Sequence, residues 1–118
     1  MYTYKAKLIR VIDGDTIDAE IDLGFGVFLK QRIRLYGINC PETRTKDASE
    51  KELGLKAKDR LIELLPNEFI VETILNKRGK YGRVLGNVSF ETLNGEMINV
   101  NKLLVEEGHA VEYSIIKE

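Results

Sequence analysis

This sequence of 118 residues has a single cysteine, almost no net charge and no long apolar run. Each of these features excludes some classes of function. The single cysteine, Cys40, excludes an internal disulfide and a cysteine-based metal site. No apolar run reaches the roughly 18 residues that a membrane-spanning helix needs. The formal net charge of −1 argues against a protein that coats nucleic acid through charge alone.

Length and composition are those of one globular domain. Apolar residues make up 43% of the chain and charged residues 31%, which separates it from disordered chains. We predict that residues 1–118 form a single domain, because the chain is too short for two cores. The N-terminal segment "MYTYKAKLIR" lacks the hydrophobic region of a signal peptide. We therefore expect a cytoplasmic monomer with no membrane partner, with a longer, secreted precursor as the alternative.

Segments of alternating hydrophobicity predict half-buried β-strands. The clearest, "TIDAEIDL", places Ala19 and Leu23 with its isoleucines on one face and polar side chains on the other. In the segment that follows, the apolar side chains, including Leu29, share one face and the basic side chains, including Arg34, share the other. The predicted strands cover residues 3–12, 16–23, 27–36, 68–75 and 83–90.

Two amphipathic helices are predicted between and after these strands. Residues 54–65 carry a stripe of alanine and leucine side chains, and Pro66 ends the helix. A short second helix begins after Asn99, a favourable N-cap, and ends at Gly108. The charged segment 43–54 is predicted to be a loop.

The order of these elements predicts the architecture. Three strands, a helix, two strands and a helix fit a β-rich α+β fold, the OB-fold, which is a five-stranded Greek-key barrel with two packed α-helices. The segment "GFG" (24–26) is expected to form a hairpin turn. Gly86, inside the last strand, indicates a bulge or a point of close packing.

The segment "DGDT" (13–16) has two interpretations. Asp-Gly is a favoured pair in a tight turn between strands, so the segment is compatible with an ordinary hairpin. Alternatively, Asp15 offers a hard oxygen ligand to Ca²⁺ or Mg²⁺. Asp13 would then hydrogen-bond the waters around that cation.

The segment "GINCPE" (37–42) also has two interpretations. Asn39 suits a turn, and a solvated surface position suits Glu42. Alternatively, Asn39 and the backbone carbonyl of Cys40 bind the same cation, and Glu42 orients or deprotonates a water. Cys40 is a weaker candidate for a nucleophile, since the one conceivable base, His109, is far away in sequence. We expect Cys40 to be a small buried hydrophobic residue and His109 to be a capping or surface residue.

Arginine and tyrosine provide the candidate contacts to a phosphate chain. Arg34 and Arg83 are either solvated cations or two planar forks around one phosphate, whose developing charge they would stabilise. The segment "NKRGKYGR" (76–83) has four cations and no acid. In it, "KYGR" (80–83) has the composition of a single-strand binding loop, in which a cation meets phosphate and an aromatic ring meets a base. Tyr113 is either a second aromatic platform or a packing residue.

These motifs occur together and in an order that resembles the staphylococcal nuclease family. The segments that carry the resemblance are "VIDGDT" (11–16), "RLYGINCPE" (34–42), "KYGR" (80–83) and "INVNKLLVEEGHAVEY" (98–113). The similarity is collinear over roughly residues 5 to 113. It implies an OB-fold and Ca²⁺-dependent hydrolysis of DNA or RNA phosphodiesters, with Mg²⁺ or Mn²⁺ as alternative ions. A single-stranded substrate is preferred, because a small cleft needs an unstacked strand.

The resemblance also implies roles for individual residues. By position, Asp15, Asn39 and the carbonyl of Cys40 match the metal ligands of the family. Glu42 matches the residue that handles the attacking water, and Arg34 and Arg83 match the two arginines that stabilise the transition state. The positions that match substrate-holding residues are Lys80, Tyr81 and, with a slightly shorter spacing from Gly108, Tyr113.

One departure from the family bears on its activity. Asn39 stands where the type member has a second aspartate, which removes one formal negative charge from the metal site. Because Ca²⁺ affinity follows ligand charge, we expect weaker metal binding. The alternative function is therefore a non-catalytic module that binds nucleic acid or protein. The enzyme is favoured by the joint presence of Asp15, Arg34, Glu42 and Arg83, since a site that no longer catalyses a reaction is expected to lose such groups.

Overall fold

The computed structural model describes residues 2–78 and 84–113. In order along the chain, the strands and helices of these residues are β1 (Thr3–Asp13), β2 (Thr16–Gly24), β3 (Val27–Leu35), β4 (Ile38–Asn39), α1 (Ala48–Leu64), β5 (Glu68–Arg78), β6 (Val84–Glu91), β7 (Met97–Asn99), α2 (Val100–Glu106) and β8 (Val111–Glu112). Within these residues, neither helix combines the length and apolar character that crossing a bilayer requires.

Five strands form a closed, mixed β-barrel. The sheet order β3-β2-β1-β5-β6 is antiparallel throughout, and a parallel pairing of β3 with β6, from Ile33 opposite Val84 to Leu35 opposite Gly86, closes it. β7 extends the sheet beside β6, and β4 pairs with β8 in a small separate sheet. The closed barrel with two helices confirms the OB-fold prediction.

The barrel interior and the two helices share one hydrophobic core. Leu29 and Leu23 were predicted to lie on a buried face, but they are 47% and 40% exposed. Among the described residues, β3 meets β6 only at its last three positions, so the hairpin that carries both leucines extends beyond the closed part of the barrel. The largest fully buried side chains are Ile17, Ile33, Leu35, Leu61, Val71, Val88, Val100 and Leu104.

Helix α1 begins at Ala48, earlier than predicted, so the prediction of a loop over residues 43–54 was wrong for its second half. The Asp47 side chain caps the helix by accepting hydrogen bonds from the backbone N–H groups of Ser49 and Glu50. The Glu and Lys residues of this segment are good helix formers, although their charge makes the segment resemble a loop. The C-terminal end, before Pro66, is as predicted.

Helix α2 matches its prediction. The Asn99 side chain accepts from the backbone N–H of Lys102, and Gly108 has the positive φ of 83° expected after a helix end. The buried Asn101 side chain joins the helix to the barrel, because its Nδ2 donates to the carbonyl oxygens of Tyr36 and Gly86 at 2.9 and 3.2 Å. The bond to Tyr36 holds the chain just after β3, where the segment with the candidate site residues begins.

Gly86 is a point of close packing. A Cβ atom at this position would lie 2.7 Å from Cγ2 of Val71 on the neighbouring strand β5. The "GFG" turn also forms as predicted, with positive φ angles at Gly24, Phe25 and Gly26. The short strands β4, β7 and β8 were not predicted, because two or three residues are too few to show a periodicity.

Candidate functional site

Asp15 lies in the turn just before β2 and is buried, with 7% of its surface exposed. Its Oδ2 accepts a hydrogen bond of 2.8 Å from the backbone N–H of Cys40, and its Oδ1 accepts one of 3.0 Å from the Thr16 hydroxyl. The bond to Cys40 joins two segments that are 25 residues apart in the sequence. The two predicted halves of the metal site are therefore brought together in the fold.

Arg34 lies on β3 beside Asp15 and is also buried, at 9% exposure. Its Nη1 lies 3.2 Å from Asp15 Oδ2, and its Nη2 donates to Asn39 Oδ1 at 3.0 Å. Nη1 also donates to the backbone carbonyl of Leu35 at 3.3 Å. One guanidinium therefore contacts both of the residues that were predicted to bind the cation through their side chains.

The segment that carries Glu42 is fixed on both sides of this residue. The backbone N–H of Glu42 donates to Glu50 Oε2 on α1 at 3.3 Å. The hydroxyl of Thr43 donates to Asp13 Oδ1, at the end of β1. Asp13, which was expected to bond the waters of a cation, thus also anchors the residue that follows Glu42.

Two glycines allow α1 to pack directly against this segment. A Cβ atom at Gly54 would lie 2.5 Å from the Glu42 carbonyl oxygen and 2.8 Å from that of Pro41. A Cβ atom at Gly14 would lie 2.7 Å from Cβ of Ala57. Since a methyl group does not fit at either position, the approach of the helix to both turns depends on these glycines.

The Glu42 side chain borders an open cavity. Glu42 is exposed, and with Asn39 and Glu50 it lines a space of about 620 Å³ between the segment and α1. His109 lines the same cavity from beyond α2, and its Nε2 lies 4.0 Å from Glu107 Oε1. A carboxylate with access to solvent can act on a water molecule.

Cys40 contributes its backbone and not its thiol. The side chain is 6% exposed, and burial, reinforced by the nearby Asp15 carboxylate, raises the pKa of the thiol to about 12. A thiol with this pKa remains protonated at neutral pH and is a poor nucleophile. The expectation of a small buried residue therefore agrees with the structure.

Of the residues predicted to hold the substrate, Tyr113 can be placed. It is 45% exposed, and its backbone N–H donates to the carbonyl of Gly37 at 2.8 Å, just before Asn39. It lines a groove of about 800 Å³ together with Tyr36 and Lys102. Lys80, Tyr81 and Arg83 lie outside the described residues.

The oxygen atoms of Asp15 and Asn39 are of the chemical type that a hard divalent cation prefers, but their total charge is low. The carboxylate of Asp15 and the amide oxygen of Asn39 converge, and both are ligand types that Ca²⁺ and Mg²⁺ prefer. The positive Arg34 side chain beside them offsets the charge of Asp15. Within residues 2–78 and 84–113, no three His, Cys, Asp or Glu side chains form a group that could hold a metal. The donor types therefore fit a hard cation, whereas their net charge is low for one.

Sequence reasoning missed Glu50 and Thr43 as residues of this region. Both anchor the backbone beside Glu42, and both lay in a segment that was predicted to be a charged loop. The sequence does contain a signal for Glu50, which stands three residues after the N-cap Asp47, a spacing typical of a capping box. Its partner in the structure, however, is the more distant Glu42.

Known proteins are similar in sequence to this chain over most of its length. A profile of the family described as "Staphylococcal nuclease homologue" matches residues 32–118, which is most of the sequence. The chain belongs to the staphylococcal nuclease family. The match includes the segment from Arg34 to Glu42 in which the candidate site is centred.

Individual relatives agree with this assignment. Micrococcal nuclease of Shigella flexneri is 29% identical over 116 residues, which cover 93% of this chain and 59% of the relative. Thermonuclease of Staphylococcus hyicus is 34% identical over 105 residues, or 88% and 56% of the two chains. Protein ParB of Escherichia coli is 30% identical over 117 residues, or 92% and 57%. The chain thus spans less than two thirds of the length of these relatives.

Proposed function

We propose that this chain is a metal-dependent nuclease that hydrolyses phosphodiester bonds in single-stranded or flexible DNA or RNA. The observation that supports the proposal is that Arg34 contacts both Asp15 and Asn39. The segment that follows Asn39 continues to the solvent-exposed Glu42. Similarity to proteins named as nucleases supports the reaction class.

The cation, for which Ca²⁺ is proposed first and Mg²⁺ or Mn²⁺ as alternatives, would be held by Asp15, Asn39 and the carbonyl of Cys40. When bound, such an ion supplies Lewis-acid stabilisation of negative charge on the phosphate. The backbone bond from Cys40 to Asp15 supports the assignment, since it holds two of the three ligand residues in register. The substitution of Asn39 for a carboxylate lowers the expected affinity.

Glu42 is proposed as the general base that takes a proton from the attacking water. Its backbone is anchored through Glu50, and its side chain faces the cavity beside Asn39. Anchoring the backbone limits the positions that the carboxylate can sample, which favours a productive orientation of the water.

Arg34 is proposed to stabilise the additional negative charge of the transition state. A guanidinium has five N–H donors; in the described residues that of Arg34 donates to Asn39 and Leu35 and forms an ion pair with Asp15. These contacts hold the group in place before substrate binds, which favours stabilisation of the charge that develops on a phosphate oxygen. Arg83 is proposed as the second arginine on the basis of the resemblance, with Lys80, Tyr81 and Tyr113 as substrate-holding residues.

The test is cleavage of a fluorescent single-stranded DNA over a range of Ca²⁺ concentrations, with a chelator as a control. Glu42→Gln and Arg83→Ala should each lower kcat by about 10² or more without loss of fold. The matched control is Glu52→Gln, which makes the same change at an exposed position on α1. Near-wild-type turnover in Glu42→Gln would reject the assignment. Binding without cleavage at any metal concentration would favour the non-catalytic module.

A further inference from the structure

A second group of arginines lies on the outer face of the barrel. In the register of the sheet, Asp18 on β2 lies opposite Arg10 on β1 and Arg32 on β3. Asp18 is therefore flanked by a cation from each neighbouring strand. Lys30, two residues before Arg32 on β3, lies opposite Glu20 on β2.

One carboxylate fixes both guanidinium groups. Asp18 Oδ2 accepts from Arg10 Nε at 3.0 Å and from Arg32 Nη2 at 3.1 Å, while Asp18 Oδ1 accepts from Arg32 Nε at 2.8 Å. The side chains of Arg10 and Arg32 are 64% and 44% exposed, whereas that of Asp18 is 17% exposed. Ion pairs this exposed contribute little to stability, so their main effect is to orient the guanidinium groups.

The arrangement leaves positive charge and unused donors facing solvent. Among the described contacts, Arg10 uses one N–H group and Arg32 uses two, out of five on each guanidinium. Both arginines line an open groove of about 470 Å³, together with Lys30, Gln31 and Ile9. With three cations and one carboxylate, the groove lining has a formal charge of +2.

The groove lies next to the candidate site. Arg32 and Arg34 are alternate residues of β3, so they start from the same face of the strand, with their backbones about 6.7 Å apart. Arg34 is buried and contacts Asn39 on β4, whereas Arg32 is open to solvent. A chain of phosphates that reached Arg34 could therefore continue over the groove along β3.

We propose that this groove binds backbone phosphates of the substrate strand that flank the bond to be cleaved. This inference rests on the proposed nuclease function and specifies its substrate as a polynucleotide longer than a dinucleotide. Planar guanidinium groups held in fixed orientations match the geometry of phosphate oxygens, and Lys30 adds a flexible point charge. Contacts of this kind carry no base preference, so the groove would add affinity and not sequence specificity.

The experiment measures binding of a fluorescent single-stranded oligonucleotide in the presence of a chelator, so that no metal-dependent cleavage takes place. For single strands, each phosphate contact contributes about 0.7 to the slope of log affinity against log salt concentration. The double variant Arg10→Gln/Lys30→Gln removes two contacts, so its slope should be smaller by about 1.4. The single variants should each lose about half of that amount.

The control is Lys56→Gln/Lys58→Gln, which removes two positive charges from α1. It should change the slope much less than the groove variant does, because a distant charge acts only through the overall field. Circular dichroism and thermal unfolding establish that each variant is folded. The two single variants provide the same test if the double variant does not fold.

The outcomes separate this inference from the proposed function. A smaller slope in the groove variants than in the control supports the groove, whether or not the wild type cleaves DNA. Wild-type cleavage with equal slopes in groove and control variants would overturn the groove and leave the nuclease assignment intact. Absence of oligonucleotide binding by the wild type would overturn the groove, and the cleavage assay with Ca²⁺ would decide the nuclease assignment separately.

Discussion

Arg34 and Asp15 form a buried ion pair, with Arg34 Nη1 3.2 Å from Asp15 Oδ2 and only 11% and 10% of the two side chains exposed. The pair joins the turn before β2 to the end of β3, and Arg34 also contacts Asn39 on β4. Arg34 therefore has a structural role that is separate from its proposed role in catalysis.

Loss of Arg34 should destabilise the protein. In Arg34→Ala the Asp15 carboxylate keeps its bonds to Cys40 and Thr16 but loses its buried countercharge, which should cost about 3 kcal/mol in the free energy of unfolding. Arg32→Ala is the control, because Arg32 is paired with Asp18 at the surface and its loss should cost about 1 kcal/mol or less. Urea unfolding measures both values. Equal losses would contradict a special contribution from the buried pair.

Restoration of a carboxylate at residue 39 should strengthen metal binding. Asn39→Asp adds one negative charge beside Asp15 and keeps an acceptor for Arg34 Nη2, so the Ca²⁺ concentration for half-maximal cleavage should fall about tenfold. The control is Asn67→Asp, which makes the same change at an exposed position before β5. A Ca²⁺ titration of cleavage and of thermal stability measures the effect. An unchanged midpoint would show that residue 39 does not bind the cation.

A methyl group at residue 54 should separate α1 from the segment that carries Glu42. Alanine is better than glycine in a helix by about 1 kcal/mol, which would stabilise the protein if space allowed. A Cβ atom would lie 2.5 Å from the Glu42 carbonyl oxygen, however, and such overpacking costs about 1–3 kcal/mol. We expect Gly54→Ala to be destabilised and to lose kcat.

The same helix provides a control for this variant. Glu52→Ala changes an exposed residue of α1 and should have little effect on stability or turnover. Unfolding curves and cleavage rates of the two variants are to be compared. A more stable and fully active Gly54→Ala protein would show that the segment adjusts freely to the helix.

Cys40 should be inert in the native state. Because burial raises the pKa of its thiol to about 12, reaction with a thiol reagent at pH 8 should be very slow until the protein is unfolded in urea. Cys40→Ala retains the backbone N–H that bonds Asp15, so it should keep most of the turnover. Rapid labelling of the native protein, or a large loss of activity in Cys40→Ala, would contradict a purely structural role for the side chain.

Asp18 should contribute stability that disappears in acid. Hydrogen bonds from Arg32, reinforced by Arg10, lower the pKa of this carboxyl below its ordinary value. A lowered folded-state pKa stabilises the protein above the unfolded-state pKa, and this contribution is lost as pH falls through the folded-state pKa. The difference in stability between wild type and Asp18→Asn should therefore be largest near neutral pH and shrink below about pH 4. Urea unfolding at several pH values measures it, and a constant difference would contradict this account.

Local patterns in the sequence were sufficient for the regular elements. The alternation around Ala19, the cap at Asn99 and the stop at Pro66 predict strands and helices correctly, because each depends on interactions between near neighbours. The beginning of α1, in contrast, was missed. Its first turns are charged and face solvent, so they lack the apolar spacing that marks a helix.

The sequence by itself determined the barrel class and the list of candidate groups, including Asp15, Arg34 and Glu42. Only the tertiary structure decided how these groups meet. The bond from Cys40 to Asp15 and the contact of Arg34 with Asn39 depend on barrel closure, which no local pattern encodes. Burial also depends on the tertiary structure. Alternation gives Arg32 and Arg34 the same face of β3, yet only Arg34 is buried and shielded from solvent.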